Sequence, residues 1–545
     1  MRGGGLKFAA MTLVGVGIAL GLSFVTARGA PANTPEARAE AAFKAIGLSD
    51  QYLGEGTRPP DMVVTLTTRA TMQQWDPGES TSVSDLMTPD GGTSTYVQRW
   101  DRGRDYLRTE WVRPRAGGAT RTFTEIVMPD GGYVIGNDAN NALTRRATQD
   151  NPPLHTMSGL RLRALLREQE RISLLFGING NLGRLSDYPA QTAGGKRYPA
   201  VQYRGDNGTF IVMFDPATDL PAIVRTREFD QLMGDANFDA TLSDWRAVES
   251  IKLPFRITYT LNGVKVFDTT VNSYELNGTL ASDAFNVPAA LRGKAAPPAP
   301  IGKVPYQWVL RRLASGFYLD SDALYTDDGV SMQLTDVGPN MSLVTGGSHN
   351  TLIVATNDYL VAFDAPGDDG LSQQVIDMAK KKYPGKSFRY LVLTHHHIDH
   401  TGGLRAYVAD GATLVVGKGN GAFFRRTLSA PAGLNYIALK GPVTPKVIEV
   451  DGKWSVNDGG RAVEAYSLDN PHAAGYLIPY VPDAKMGFVT DLWNPGPMVA
   501  TPANPNMVAI VRGMEKAGVQ PEKFAGGHGA VGTYADLVRT VGTAR

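Results

Sequence analysis

The chain has 545 residues, 42% hydrophobic and 20% charged, with a formal net charge of +1 and no cysteine. That length is too great for a single core, so at least two domains are expected. The near-zero net charge leaves no basic footprint for nucleic acid, and the missing cysteine excludes disulfides, thiolate metal ligands and a cysteine nucleophile.

Residues 1–29 read as a signal peptide or N-terminal anchor. Arg2 and Lys7 supply the positive start, and Phe8 to Val25 carries no charge and is mostly apolar. Val25-Thr26-Ala27 fits the small-x-small cleavage rule, and Ala27-Arg28-Gly29 offers an alternative site. The expected location is periplasmic or secreted, with anchoring by the uncleaved segment as the alternative. After cleavage no stretch remains that is apolar and long enough to span a bilayer.

Residues 34–288 are expected to form a mostly antiparallel β domain. Thr34-Pro35-Glu36 opens a helix, with Thr as N-cap, Pro in the first turn and Glu at the positive end of the dipole. Gly47 closes it. Beyond it the texture is strands and turns: Met62 to Thr68, Met128-Pro129-Asp130-Gly131-Gly132-Tyr133, and Thr209 to Phe214. Arg256 to Leu261 meets Asn262-Gly263, a strong hairpin signal. Leu160 to Arg171 interrupts as a helix with Leu160, Leu162, Leu165 and Leu166 inward, its arginines expected on a solvated face. The segments Asp219-Leu220-Pro221-Ala222 and Asp244-Trp245-Arg246 to Leu253-Pro254-Phe255 resemble the half-barrel domains of periplasmic lipoprotein carriers. That resemblance implies a sheet curved around an apolar groove; a plain scaffold sheet is the alternative. His155 reads as a polar residue with a satisfied hydrogen bond.

Residues 289–305 form a Pro/Ala-rich linker, centred on Ala295-Ala296-Pro297-Pro298-Ala299-Pro300. Residues 306–545 are the expected metal domain, opened by a helix from Tyr306 to Ala314. Its strands are predicted at 342–345, 351–355, 359–364, 390–393, 413–416, 446–450, 475–480 and 485–491. Helices are predicted near 371–382, 403–408, 506–517 and 534–541. Gly417-Lys418-Gly419-Asn420-Gly421 is too weak a pattern for a nucleotide site and reads as a strand end flanking a cleft.

Four of the eight histidines fall within Thr394-His395-His396-His397-Ile398-Asp399-His400. Neutral imidazole and carboxylate are standard ligands for zinc and related ions. The apolar run Phe388 to Leu393 precedes the block, so the ligands sit at a strand's C-terminal end. His472 lies in Asn470-Pro471-His472-Ala473-Ala474-Gly475, Asp491 ends the apolar run from Met486, and His528 lies in Gly526-Gly527-His528-Gly529. From about Ser321 onward this pattern resembles the metallo-β-lactamase superfamily. The resemblance implies an αββα sandwich of α/β class, preceded by the antiparallel β domain. It also implies two divalent cations, by default zinc, with manganese or iron as alternatives. His395, His397 and His472 would hold one cation, and Asp399, His400 and His528 the other. Asp491 would bridge them, and Asp364 would support the site. His396 matches no ligand position and reads as a passenger or supporting group. His349, on a turn before the second strand, is a candidate substrate contact.

The implied chemistry is hydrolysis of a small ester, lactone or amide by a metal-bound hydroxide, with Asp399 as the catalytic residue orienting the nucleophile or passing its proton. Phosphodiester or sulfate ester hydrolysis is the alternative within enzymes. A carrier for apolar ligands with a non-catalytic metal site is the alternative outside them. His397 stands where oxygen-reducing diiron relatives carry Glu, which argues against that branch; an iron dioxygenase using the same residues stays open. The expected partner is a small-molecule substrate.

Overall fold

In this computed structural model the described residues are 34–48, 63–88, 92–114, 120–139, 151–177, 179–302, 304–326, 331–435, 439, 443–496 and 503–542. The expected export segment, residues 1–29, and Met62 lie outside them. Among the described residues no helix is long and apolar enough to cross a membrane.

The first half is one 13-stranded sheet whose neighbouring strands are all antiparallel. One meander runs from Thr65–Gln74 outward to the edge strand Leu154–Thr156. The other starts at Leu185–Ala193, on the opposite edge, and ends with Val264–Leu276. The two join where Thr65–Gln74 pairs with Val264–Leu276, Leu66 opposite Leu276. The Asn262-Gly263 hairpin has both residues at positive φ, 48° and 85°, as a two-residue turn between right-twisted strands requires. Helix α1 (Pro35–Ile46) starts as expected: Thr34 Oγ1 accepts from Ala37 N at 3.2 Å, and Gly47 ends it at φ 95°.

Helix α2 (Gly159–Gly177) connects the two edge strands, lying with α1 against one face of the sheet. Leu162, Leu166, Leu174, Leu175 and Phe176 pack there with Trp100, Phe123, Val201 and Phe210. The arginines of α2 correct the expectation of a solvated face: Arg161, Arg167 and Arg171 are all buried. Charged partners from the packed strands, from loops and from α2 itself meet them. Arg161 bonds Glu125 at 2.6 Å and both Asp138 and Asp320 at 2.5 Å. Arg167 meets Glu228 at 2.5 Å, and Arg171 meets Glu168 and the Val224 carbonyl. A buried guanidinium persists only when so paired. His155 is held as expected, by Pro152 O at 2.7 Å and Asp320 at 2.9 Å.

The stretch 295–300 contains no helix or strand, and Ala299 N donates to Gly159 O at 2.9 Å, so it packs on the start of α2. Helix α3 (Tyr306–Ser315) then leads into the second half. Here a seven-stranded and a six-stranded sheet face each other. Val354, Val361, Phe363, Val392 and Val415 of one interleave with Val463, Leu477, Met486 and Phe488 of the other. Helices Asp369–Lys382, Leu404–Ala409 and Gly421–Ser429 cover the outer face of the larger sheet. Pro505–Ala517 and Tyr534–Gly542 cover the smaller one. This is the expected αββα sandwich. No strand is predicted between Val450 and Gly475, yet Lys453–Asp458 and Arg461–Leu468 form a hairpin there.

Asp369, in the first turn of its helix, yields a pH prediction. Its side chain is buried against Asn435, which donates to it at 3.0 Å. Burial pushes its carboxyl from an ordinary 3.8 up to about 7, although Asn435 and Arg405 pull the other way. The folded state therefore binds a proton that the unfolded chain releases near pH 4, so this contribution is full below pH 4 and is lost as pH climbs toward 7. Asp369→Asn is expected to match wild type in Tm at pH 4 and to exceed it increasingly up to pH 7. A Tm difference that stays constant across that range contradicts the assignment.

Candidate metal centre

Every candidate ligand stands at a strand exit or the adjoining turn. The histidine block follows strand Phe388–Val392, Asp364 follows Leu360–Phe363, Asp491 closely follows Met486–Val489, and His528 follows Lys523–Gly526. His472 lies on the turn before Tyr476–Val481, and His349 on the turn before Thr351–Ala355. Asp364 and Asp491 both take left-handed backbone, φ 61° and 58°. Asp tolerates that region better than most side chains, and strained exits of this kind cluster where geometry serves a site.

Asp491 is the hub. Its Oδ2 lies 3.1 Å from Nε2 of His395, His400 and His472, and its Oδ1 lies 2.6 Å from Nε2 of His528. Ligand atoms of His395, His397, His472 and Asp491 all fall within 4.8 Å of one another, as do those of His349, His400 and His528. The Nε2 atoms of His395 and His472 are 3.3 Å apart. Two nitrogens each about 2.0–2.1 Å from one tetrahedral zinc would show about that separation.

The hydrogen bonds behind these rings set which nitrogen faces inward. Thr394 Oγ1 donates to Asp364 Oδ2 at 2.8 Å, so it accepts from His395 Nδ1 at 3.0 Å and leaves the His395 Nε2 lone pair toward Asp491. His400 Nδ1 lies 3.3 Å from the same Asp364 carboxylate, which turns Nε2 inward. The Ser80 carbonyl can only accept, so His397 donates to it from Nε2 at 2.9 Å and presents a bare Nδ1. Outer partners that fix the tautomer of a ligating imidazole are a regular part of metal sites. Among the candidate ligands, two buried atoms have no hydrogen-bond partner: His397 Nδ1 and Asp399 Oδ1. Such orphans are costly unless something absent from the protein atoms satisfies them. The donor set, its tautomers and these orphans fit a pair of divalent cations.

Electrostatics agree. Burial holds His395 down at about 3 and His397 well below the ordinary imidazole range, so both stay neutral. Burial also pulls His349 to about 3, assisted by His528. Burial raises the Asp491 and Asp399 carboxyls, but His400, joined by Arg312 and His349 at Asp399 and by His528 and His395 at Asp491, outweighs it and keeps both well below the usual range. His400 is opposite: burial opposes its charge, yet Asp491 and Asp399 raise it strongly. The cluster demands positive charge, which a proton on His400 supplies among protein atoms alone.

The structure brings His395, His397, Asp399, His400, His472, Asp491 and His528 together, with Asp364 beneath them. His349 joins them: its Nε2 lies 3.2 Å from Asp399 Oδ2, and its ring packs on those of His400 and His528. His396 points elsewhere, toward Ser80 Oγ at 3.3 Å and the Phe423 ring. Asn420, in the glycine-rich stretch, reaches the Ala474 carbonyl beside His472. Side-chain exposure is 0–4% for His395, His397 and His400, but 25% for His472 and 28% for His528. A substrate therefore approaches past those two.

Two neighbours carried no signal in the sequence. Glu79, in the loop after strand Thr65–Gln74, places Oε2 3.5 Å from His397 Nδ1. Arg312 of α3 bonds Glu79 Oε1 at 2.7 Å and Asp399 Oδ2 at 3.3 Å. The turn Asp76-Pro77-Gly78-Glu79 is common surface chemistry, and only the tertiary fold carries it into the centre.

Residues 344–529 match the family model described as the metallo-beta-lactamase superfamily. The C-terminal part of this chain is a domain of that superfamily. No curated protein matches the chain. Among solved structures, the metallo-beta-lactamase from Pontibacter korlensis is similar at 20% identity over 39% of this chain and 99% of its own, with a TM-score of 0.31. The metallo-beta-lactamase from Hirschia baltica is similar at 17% identity over 39% and 98%, with a TM-score of 0.31. The stereoselective inverting sec-alkylsulfatase Pisa1 from Pseudomonas sp. is similar at 18% identity over 38% of this chain and only 40% of its own, with a TM-score of 0.30.

Proposed function

We propose that this chain is an exported dinuclear metal-dependent hydrolase acting on a small ester, lactone or amide. The observation that carries the reading is Asp491, poised between two groups of inward-facing histidine nitrogens. Bound there, a pair of zinc ions would lower the pKa of coordinated water to about 7 and polarise the substrate's carbonyl oxygen. The chain's own residues do the rest. Thr394 and Asp364 hold His395 and His400 in one tautomer each. Arg312 and His349 hold Asp399 Oδ2, which leaves Oδ1 directed into the centre to orient the attacking water and accept its proton. The partly exposed rims of His472 and His528 admit the substrate, while the buried histidines exclude bulk solvent from the opposite side.

The test uses the purified full chain and a panel of chromogenic ester, lactone, amide, phosphodiester and sulfate ester substrates. Turnover of a carboxylic ester, lactone or amide is expected, lost on dialysis against chelator and restored by zinc. Turnover that survives complete metal removal rejects the reading, and turnover confined to phosphate or sulfate esters rejects the substrate class. Mass analysis of the same protein from its native host is expected to show an N-terminus at Arg28 or Ala30. An intact Met1 rejects cleavage.

A further inference from the structure

The loop that follows strand Thr65–Gln74 is fastened to both histidine-bearing turns. The Gly78 carbonyl accepts from Ile398 N at 2.9 Å, the Ser80 carbonyl from His397 Nε2, and the Thr81 carbonyl from Ala474 N at 2.9 Å. Within the loop, Asp76 caps the turn: its Oδ1 accepts from Gly78 N and its carbonyl from Glu79 N, both at 3.0 Å. Gly78 sits so close that a Cβ there would come within 2.9 Å of Ile398. The Glu79 backbone is thus fixed beside the first ligand group.

The Glu79 side chain then poses a question of charge. Arg312 takes Oε1. Oε2 faces His397 Nδ1 at 3.5 Å, too far for a good hydrogen bond. His397 already spends its ring proton on the Ser80 carbonyl, so Nδ1 offers a lone pair. A carboxylate oxygen facing a nitrogen lone pair across a desolvated gap is repulsive unless a proton or a cation lies between them, and a 3.5 Å gap suits a cation better than an O–H···N bond. One ligand atom each from Glu79, His397 and Asp399 falls within 4.8 Å of the others, so Glu79 reaches the space between His397 of the first ligand group and Asp399 of the second.

From this juxtaposition we infer that Glu79 is a ligand to the first cation, contributed by the antiparallel β domain to a centre otherwise built from the second half. The inference rests on the dinuclear reading above. It gives the first cation five protein donors: His395, His397, His472, Asp491 and Glu79. Arg312 is the positioning residue that aims the fifth. The β domain is then part of the metal centre rather than an appended module.

The experiment compares full-length wild type, Glu79→Gln and Glu79→Ala after metal removal and stepwise reloading with Co(II). Glu79→Gln keeps the shape of the side chain, so loss of folding does not obscure it; circular dichroism checks both variants. Wild type is expected to take up two equivalents. Each variant is expected to bind one of its two equivalents about tenfold or more weakly. Its visible d–d absorption should also intensify, as a drop in coordination number dictates. Two equivalents in wild type with unchanged spectra in both folded variants overturn the Glu79 assignment and leave the dinuclear reading standing. Weaker binding without a spectral change also overturns it, since Glu79 then acts from outside the coordination sphere. Failure of wild type to bind any cation overturns the dinuclear reading itself.

Discussion

Asp491→Ala abolishes turnover and empties the centre of metal while leaving the first half folded. The carboxylate approaches His395, His400 and His472 through one oxygen and His528 through the other. Loss of a residue merely behind a ligand typically costs 10–100-fold in metal affinity or activity, so loss of a bridging donor should cost about 100-fold or more. The remaining imidazoles would also lose the anion that balances two divalent charges. The measurement is elemental analysis and initial rate on the same preparation, with His397→Ala in parallel. Retention of full activity and full metal content in either variant contradicts the assigned roles.

Arg311→Ala is expected to produce the largest loss of stability of any single change at the junction of the two halves. Its guanidinium is fully buried, bonded to Asp76 at 2.6 Å, Asp230 at 2.9 Å and Gln307 at 3.0 Å. Truncation strands two carboxylates in the interior. Breaking a buried pair this way costs about 3–5 kcal/mol. For a domain of this size that corresponds to a fall in Tm of roughly 6–20 °C. Asp76 also caps the turn that presents Glu79, so the loop should become protease-sensitive near residues 75–88. An unchanged Tm with unchanged proteolysis shows that the network contributes little. Lys in place of Arg is expected to rescue poorly, because one ammonium cannot reproduce the fork that spans Asp76 and Asp230.

The second half is legible in the sequence because its signals are local. A strand followed by a dense block of imidazole and carboxylate announces a metal turn, and His472, Asp491 and His528 each carry glycine, proline or a preceding apolar run. The paired strands Lys453–Asp458 and Arg461–Leu468 escape notice for a physical reason. Their burial alternates between half-buried and exposed in the first strand, so no apolar run appears, and only Asn457-Asp458-Gly459-Gly460 marks the turn. The arginines of α2 mislead for a different reason. Spacing shows which residues share a helix face, but not that Glu125, Asp138, Asp320 and Glu228 converge on it from strands and loops far along the chain. Glu79 and Arg312 are the extreme case, since 317 residues separate Ser80 from the His397 ring it fixes.

The pairing of strand Thr65–Gln74 with Val264–Leu276 has a consequence for biogenesis. A ribosome or translocon delivers the chain in order, so the early hairpins can zip while Thr65–Gln74 still has an open border. It waits for nearly the whole first domain before a neighbour arrives, a long-range closure that is intrinsically slow. Glu79 lies just beyond that strand, so its loop gains a fixed platform only afterward. Maturation of the cation site should therefore lag synthesis of both halves, and a chain stalled before residue 264 should leave a sticky β border for chaperones to shield.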